Sequence, residues 1–203
     1  MGLFSRNRTS ALESVANAPV GALVTVGDLQ TRIAGTLVFE NSGDRWVEQC
    51  LTTGDGHQIW VSIENFDTTI ATRWEVADPG AVVGGPDDKR CTYQGTTYKR
   101  SETGTASFVS KGETGCDPSG SVDFVDFQAD DGRRLGFERF GEVGARRRSI
   151  AVSGNCPNCG AGLAVDPHGR CQHCGAAATV DDGQWGEWEV RIGTDVTNSV
   201  SVD

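Results

Sequence analysis

The chain has 203 residues, 37% of them hydrophobic and 23% charged, with a formal net charge of −10 at pH 7. That length allows one medium domain plus a small one, and the acidic balance disfavours non-specific binding to nucleic acid. No apolar run approaches the roughly 20 residues of a membrane-spanning helix, and no secretory leader is recognisable, so a cytoplasmic protein without a transmembrane segment is expected.

The start, Met1-Gly-Leu-Phe-Ser-Arg6, has Arg6 where a myristoylation signal wants Ser or Thr. Residues 1–19 form an N-terminal segment. Within it Ser10-Ala-Leu-Glu13 is a capping-box pattern, Leu12, Val15 and Ala16 share one face, and Pro19 stops the run. One short helix is predicted there. It is too short to persist without packing on the domain.

Residues 20–149 carry short β signals between glycine-rich turns. Gly35 to Glu40 and Arg45 to Leu51 read as a hairpin, and Thr53-Gly-Asp-Gly56 turns the chain into Gln58 to Ile63. Val122 to Phe127 turns at Asp130-Asp-Gly132 into Arg134 to Phe140. The two hairpins align at an offset of 76, with Leu51 on Phe127, Asp55 on Asp131, Gly56 on Gly132, Ile59 on Leu135 and Val61 on Phe137. The prediction is a mainly β fold: two β-meander halves, either a chance likeness or a duplication, forming a sandwich or open barrel.

Residues 150–192 contain the sharpest motif, Cys156-Pro-Asn-Cys159, eleven residues, then Cys171-Gln-His-Cys174, each pair followed by glycine. Two residues between cysteines let one turn aim both sulfurs at one point. Four thiolates so arranged meet the tetrahedral demand of structural zinc and leave no open position for substrate. A zinc ribbon is predicted, with Cys156, Cys159, Cys171 and Cys174 as ligands. Its strands are expected at Ala161 to Val165 and Gln172 to Val180, around the turn Asp166-Pro-His-Gly169. Trp185 to Ile192 reads as a third, and residues 193–203 as a flexible polar tail. Cys50, Cys91 and Cys116 are scattered and read as reduced thiols, mostly buried. His57, His168 and His173, the only histidines, read as exposed or outside the metal shell.

Charge is uneven. Asp131 to Arg148 holds six arginines against three acids, and Asp181 to Asp203 six acids against Arg191. These are either two solvated surfaces or a basic patch that docks an acidic partner or the acidic tail itself. On a strand Glu138 and Arg139 face opposite sides, so they are not expected to converge on one ligand. No nucleophile elbow, phosphate loop or dinucleotide glycine pattern appears, and no catalytic residue is assigned.

Trp46-Val-Glu-Gln-Cys-Leu51, Trp60-Val-Ser-Ile-Glu64, Thr92-Tyr-Gln-Gly-Thr-Thr-Tyr98, Gly104-Thr-Ala106 and Asp131-Gly-Arg-Arg-Leu-Gly-Phe-Glu-Arg139 together resemble the bacterial family called domain of unknown function 4178, over about residues 20–145. Phe140 stands where that family usually has Trp. The cysteine motif is similar to ribbons preceding bacterial Tim44-like domains. The resemblance implies no activity, only a polyamine-linked or membrane-stress setting. The function expected first is a non-enzymatic interaction or accessory module with a protein partner, its oligomeric state unassigned. The alternatives are a small-ligand binder or enzyme, with Glu48, Glu64 and Trp60 as a cation site, and a nucleic-acid-binding ribbon, which the acids around Arg170 and Arg191 disfavour.

Overall fold

The computed structural model describes residues 11–65, 69–149, 155–156, 158–162, 164, 170–176 and 179–203. Ser10 of the capping box, the Met1 to Arg6 start, and the Asp166 to Gly169 turn with His168 lie outside the described residues. A helix, α1, covers residues 11–17. The first strands are β1 (Leu23–Val26), β2 (Leu29–Asn41), β3 (Asp44–Thr53), β4 (Gln58–Asn65) and β5 (Thr69–Val76). Next come β6 (Val82–Val83), β7 (Arg90–Tyr93), β8 (Thr96–Gly112), β9 (Ser119–Ala129) and β10 (Arg134–Gly141). The last are β11 (Arg146–Ser149), β12 (Thr179–Asp182), β13 (Glu189–Asp195) and β14 (Val200–Val202).

Twelve strands form one sheet in the order β14-β1-β2-β3-β4-β5-β13-β10-β9-β8-β7-β6, and β2 also pairs with β8. That extra pairing, Gly35 opposite Gly112 through Glu40 opposite Ser107, closes the sheet into a barrel of β2, β3, β4, β5, β13, β10, β9 and β8. A closed barrel leaves none of these eight strands with a free edge. The seam is tight at Gly112, which has φ +74, and an added Cβ would meet the Ala34 carbonyl oxygen at 2.4 Å. Gly112→Ala is expected to cost roughly 2–3 kcal/mol through strained backbone and the clash. The check is a lower urea midpoint at unchanged m value.

Strand alternation sends side chains to three apolar cores. Outward residues Leu51, Ile59, Val61, Ile63 and Ala71 are covered by Leu12 and Val15 of α1, by Val24 and Val26 of β1, and by Val200. Gln49, also outward and fully buried, donates to the Val15 carbonyl at 2.9 Å and satisfies an open helix end. Docking of this kind is what a two-turn helix needs. Outward residues Val125, Phe127, Leu135, Phe137 and Val190 are covered by Cys91, Tyr98 and the β6–β7 flap. The interior holds Leu37, Phe39, Ala106, Phe108, Val122 and Phe124. Each fully buried side chain of this size contributes about 1.5–3 kcal/mol.

The two hairpins aligned in the sequence occupy matching places. Leu51 pairs with Ile59 as Phe127 pairs with Leu135. The Thr53 amide donates to His57 and the Ala129 amide to Arg133, both at 2.9 Å. Asp55 and Asp131 each accept the amide two residues on, at 3.3 and 3.1 Å, and Gly56 and Gly132 have φ 85 and 88. Each hairpin lies under one outer flap, which supports an internal duplication.

Three expectations are corrected. Residues 189–192 are not a third ribbon strand: β13 enters the barrel between β5 and β10. Its apolar Val190 and Ile192 face the outer core, and Arg191 faces the carboxylates inside. The end of the chain is not a loose tail, because β14 pairs with β1 and buries Val200. Thr179 to Asp182 pairs with β11 instead of with a ribbon strand, placing Arg146 opposite Asp182 and Arg147 opposite Asp181. The basic run therefore aligns with the chain's own acidic segment.

Candidate metal centre and barrel cavity

The cysteine quartet is assembled by two turns of one design. The Cys156 amide donates to Ala161 at 2.7 Å and the Gly160 amide to Cys156 at 2.8 Å. The Cys171 amide donates to Ala176 and the Gly175 amide to Cys171, both at 2.8 Å. Gly160 and Gly175 have φ 72 and 71, a region that favours glycine. Cys156 and Cys171 are buried, Cys159 and Cys174 exposed. All four sulfurs lie within 4.8 Å of one another, with Cys156 to Cys174 at 3.8 Å and Cys159 to Cys171 at 3.9 Å. Zn–S bonds of roughly 2.3 Å in a tetrahedron place sulfurs about 3.8 Å apart, so the four residues fit such an ion. The Asn158 amide donates to Cys174 Sγ at 3.5 Å. That bond, with the Ala176 backbone amide, pulls the Cys174 thiol down to about 6, which favours the ligating thiolate. His173 is exposed beside the sulfurs, and His57 is exposed on its turn.

Side-chain contacts of two arginines help to hold this unit and its return segment against the barrel, beside the backbone bonds of Gly186 to Phe140 and Glu142 to Gln184. Arg170 donates to the Gly175 and Asp87 carbonyls at 3.0 Å and lies 3.6 Å from Asp88. Arg139, outward on β10, pairs with Asp123 at 2.9 Å. Its guanidinium is 4.8 Å from the ring of Trp185 and 4.6 Å from that of Trp188. These cation–π contacts pin the segment that leads into β13. Glu138 faces inward and Arg139 outward, as strand geometry requires.

The barrel interior is charged beside its apolar layer. Trp46 and Glu48 on β3, Glu64 on β4, Trp74 on β5, Glu102 on β8, Phe124 and Asp126 on β9, and Glu138 on β10 line a narrow cavity of about 40 Å³. That is room for roughly three waters or one ammonium-sized group. A bulge at Ser101 sets the register: Arg100 lies opposite Phe127 on the outside, and Glu102 opposite Asp126 on the inside. Arg191 from β13 is 4% exposed at its side chain and reaches Glu138 at 2.9 Å, Glu48 at 3.2 Å and Glu189 at 3.3 Å. Its guanidinium lies 5.3 Å from the Trp60 ring. Arg134 pairs with Glu64 at 3.1 Å. Asp126 and Glu102 have no hydrogen-bond or ion-pair partner among the described residues.

Five carboxyls thus face two guanidinium groups. Burial pushes the Glu48 carboxyl up to about 8, and the neighbouring Glu138 adds to this against the pull of Arg191. Burial, then Glu138, raises Asp126 well above the usual range. Burial raises Glu138 and Glu102 as well. Beyond Arg191 a second space opens, a cleft of about 630 Å³ walled by Trp60, Phe140, Trp188 and Cys116. Burial pushes Cys50, Cys91 and Cys116 up to about 11, so these thiols are poor nucleophiles at neutral pH.

Of the residues expected to form a cation site, Glu48 and Glu64 meet in the cavity, while Trp60 lies on the far side of Arg191. Glu102, Asp126, Glu138, Trp46 and Trp74 join them around the cavity and Arg191 reaches Glu48 and Glu138 beside it, a grouping that spacing along the chain does not reveal. Inward alternation marked Glu138 as facing away from Arg139, but no sequence signal reveals the bulge that turns Glu102 inward.

A family model described as Domain of unknown function (DUF4178) matches residues 19–152. Uncharacterized proteins of Mycobacterium bovis and of two strains of Mycobacterium tuberculosis are each 29% identical over 127 residues, which is 59% of this chain and 59% of theirs. The chain therefore aligns with about 59% of the length of these curated relatives. No solved structure matches. Among the described residues no helix is long and apolar enough to cross a membrane. The family match takes in seven of the barrel strands and stops before β13, which supplies Arg191. With the match spanning well over half of its length, the chain belongs to the DUF4178 family.

Proposed function

We propose that this protein is a non-enzymatic binding module whose barrel interior holds a small organic cation, with zinc on Cys156, Cys159, Cys171 and Cys174 as a structural staple. The observation that carries the reading is the pair of carboxyls Asp126 and Glu102, which have no hydrogen-bond or ion-pair partner among the described residues, in a cavity walled by Trp46, Trp74 and Phe124. Carboxylates and aromatic faces together attract an ammonium group. Among the described residues only the cysteines gather closely enough to hold a metal ion, which favours an organic cation in the barrel. The narrow volume suits a primary ammonium with its chain leading out past Glu102, the exposed member of the set. The polyamine-linked or membrane-stress setting implied by the family resemblance agrees with a ligand bearing amino groups. Four reduced metal-binding thiols suit the cytoplasm.

Calorimetric titration with n-butylammonium tests this. Saturable binding is expected, at least tenfold weaker in Asp126→Asn. Affinity should rise from pH 6 to pH 8 as the raised carboxyls ionise. No heat at millimolar ligand, or full affinity in Asp126→Asn, would overturn the reading.

A further inference from the structure

The barrel already binds one cation of its own. Arg191 is almost wholly buried, bridges Glu48 and Glu138, and faces the Trp60 ring. The set around it is the buried carboxyls of Glu48 and Glu138, the more exposed Glu189 and an aromatic ring, the same chemistry as the cavity next to it. The fit is incomplete. Arg191 Nε is buried without a hydrogen-bond partner, which leaves polar capacity in the wall between cavity and cleft. Arg191 also lines the 630 Å³ cleft, whereas its partners Glu48 and Glu138 line the 40 Å³ cavity. Its guanidinium is therefore the partition between the two spaces.

Resting on the cation-binding reading above, we propose that Arg191 is the specificity-determining residue of the barrel, a built-in cation that occupies the Glu48–Glu138 half of the site and restricts the ligand to one ammonium group at Asp126 and Glu102. A linear diamine would need both halves. Arg191 holds the second, so the diamine's far ammonium stays in solvent. Removing the guanidinium joins cavity to cleft and frees two carboxyls for a second ammonium. Because an unpaired buried carboxyl takes up a proton, a diamine entering that variant would release protons as it ionises Glu48 and Glu138.

The test titrates n-butylammonium and the α,ω-diamines of three to five carbons into the wild type, Arg191→Met and Arg191→Lys, in buffers of different ionisation heat. The wild type is expected to bind monoamine and diamines within about threefold of each other. Arg191→Met should bind at least one diamine tenfold or more tightly than the monoamine, with proton release visible as buffer-dependent heat. Arg191→Lys should stay close to the wild type. A wild type that prefers diamines tenfold, or a folded Arg191→Met without diamine preference, would overturn the role of Arg191. If Arg191→Met does not fold, the wild-type ratio still decides. A wild type that binds no amine would instead overturn the cation-binding reading, so the two failures are distinct.

Discussion

Stripping metal from the protein, or replacing Cys156 with Ser, is expected to melt residues 155–176 while the barrel stays folded. Structural zinc in small cysteine sites contributes roughly 10–16 kcal/mol of apparent free energy at pH 7. Among the described residues of the cysteine unit, few apolar groups are buried besides Cys156 and Cys171, so no core of comparable size replaces the ion. The melted region should stop short of β13. That strand has its own ladders to β5 and β10 and buries Val190 and Arg191, and the stack of Arg139 on Trp185 and Trp188 holds the segment before it. Amide exchange measured with and without chelator checks this. Protection should vanish around the cysteines and at the Asp87 contact of Arg170, and persist in β9, β10 and β13. Unchanged exchange at the cysteines would rule out a metal-dependent fold, and loss of protection throughout would show that the two parts are not separable.

Arg191→Ala is expected to destabilise the barrel by about 3–5 kcal/mol, because removing one member of a buried ion network leaves the others without compensation. For a chain of this length that is a fall of roughly 6–20 °C in Tm. The same network sets a pH dependence in the wild type. With Glu48 at about 8 in the folded protein and near 4.5 when unfolded, the folded state holds a proton that the unfolded chain has released. Stability is then greatest at the acid end of that window and declines as pH rises through about 8. Asp126, Glu102 and Glu138 act in the same sense. Asp55, Asp131 and Asp195 are lowered by hydrogen bonds from Thr53, Arg133 and Thr197. They act in the opposite sense, losing their contribution as pH falls below about 4. Urea titrations between pH 5 and pH 8 should show the decline, steeper in Arg191→Ala, where no guanidinium stabilises the ionised carboxylates. A profile that rises with pH over this range would show that the interior carboxyls are ionised and paired.

Local features were legible wherever a local pattern decides them. The Leu12, Val15 and Ala16 face, the two D-G turns and the four cysteines each rest on spacings within a few residues. Each stands in the structure where its pattern puts it. The inward and outward alternation of Glu138 and Arg139 was equally readable. Trp188, Val190 and Ile192 show the limit. Their alternation specifies a strand with one apolar face but not the sheet that receives it, and adjacency to the cysteines pointed to the ribbon. The barrel accepts the strand because a gap between β5 and β10 offers two ladders, an apolar outer surface and an acidic interior for Arg191.

By itself, then, the sequence determined a mainly β chain, its repeated hairpin and a metal-binding cysteine set, since turn chemistry and ligand spacing are short-range. Only the tertiary structure decided that the sheet closes, that β13 completes it, and that Glu48, Glu64, Glu102, Asp126 and Glu138 meet around one narrow space. Those carboxyls come from five strands spread over some ninety residues, and one of them faces inward only because of a bulge. Closure of the sheet is a long-range pairing, and the charge it concentrates exists only once the barrel is shut.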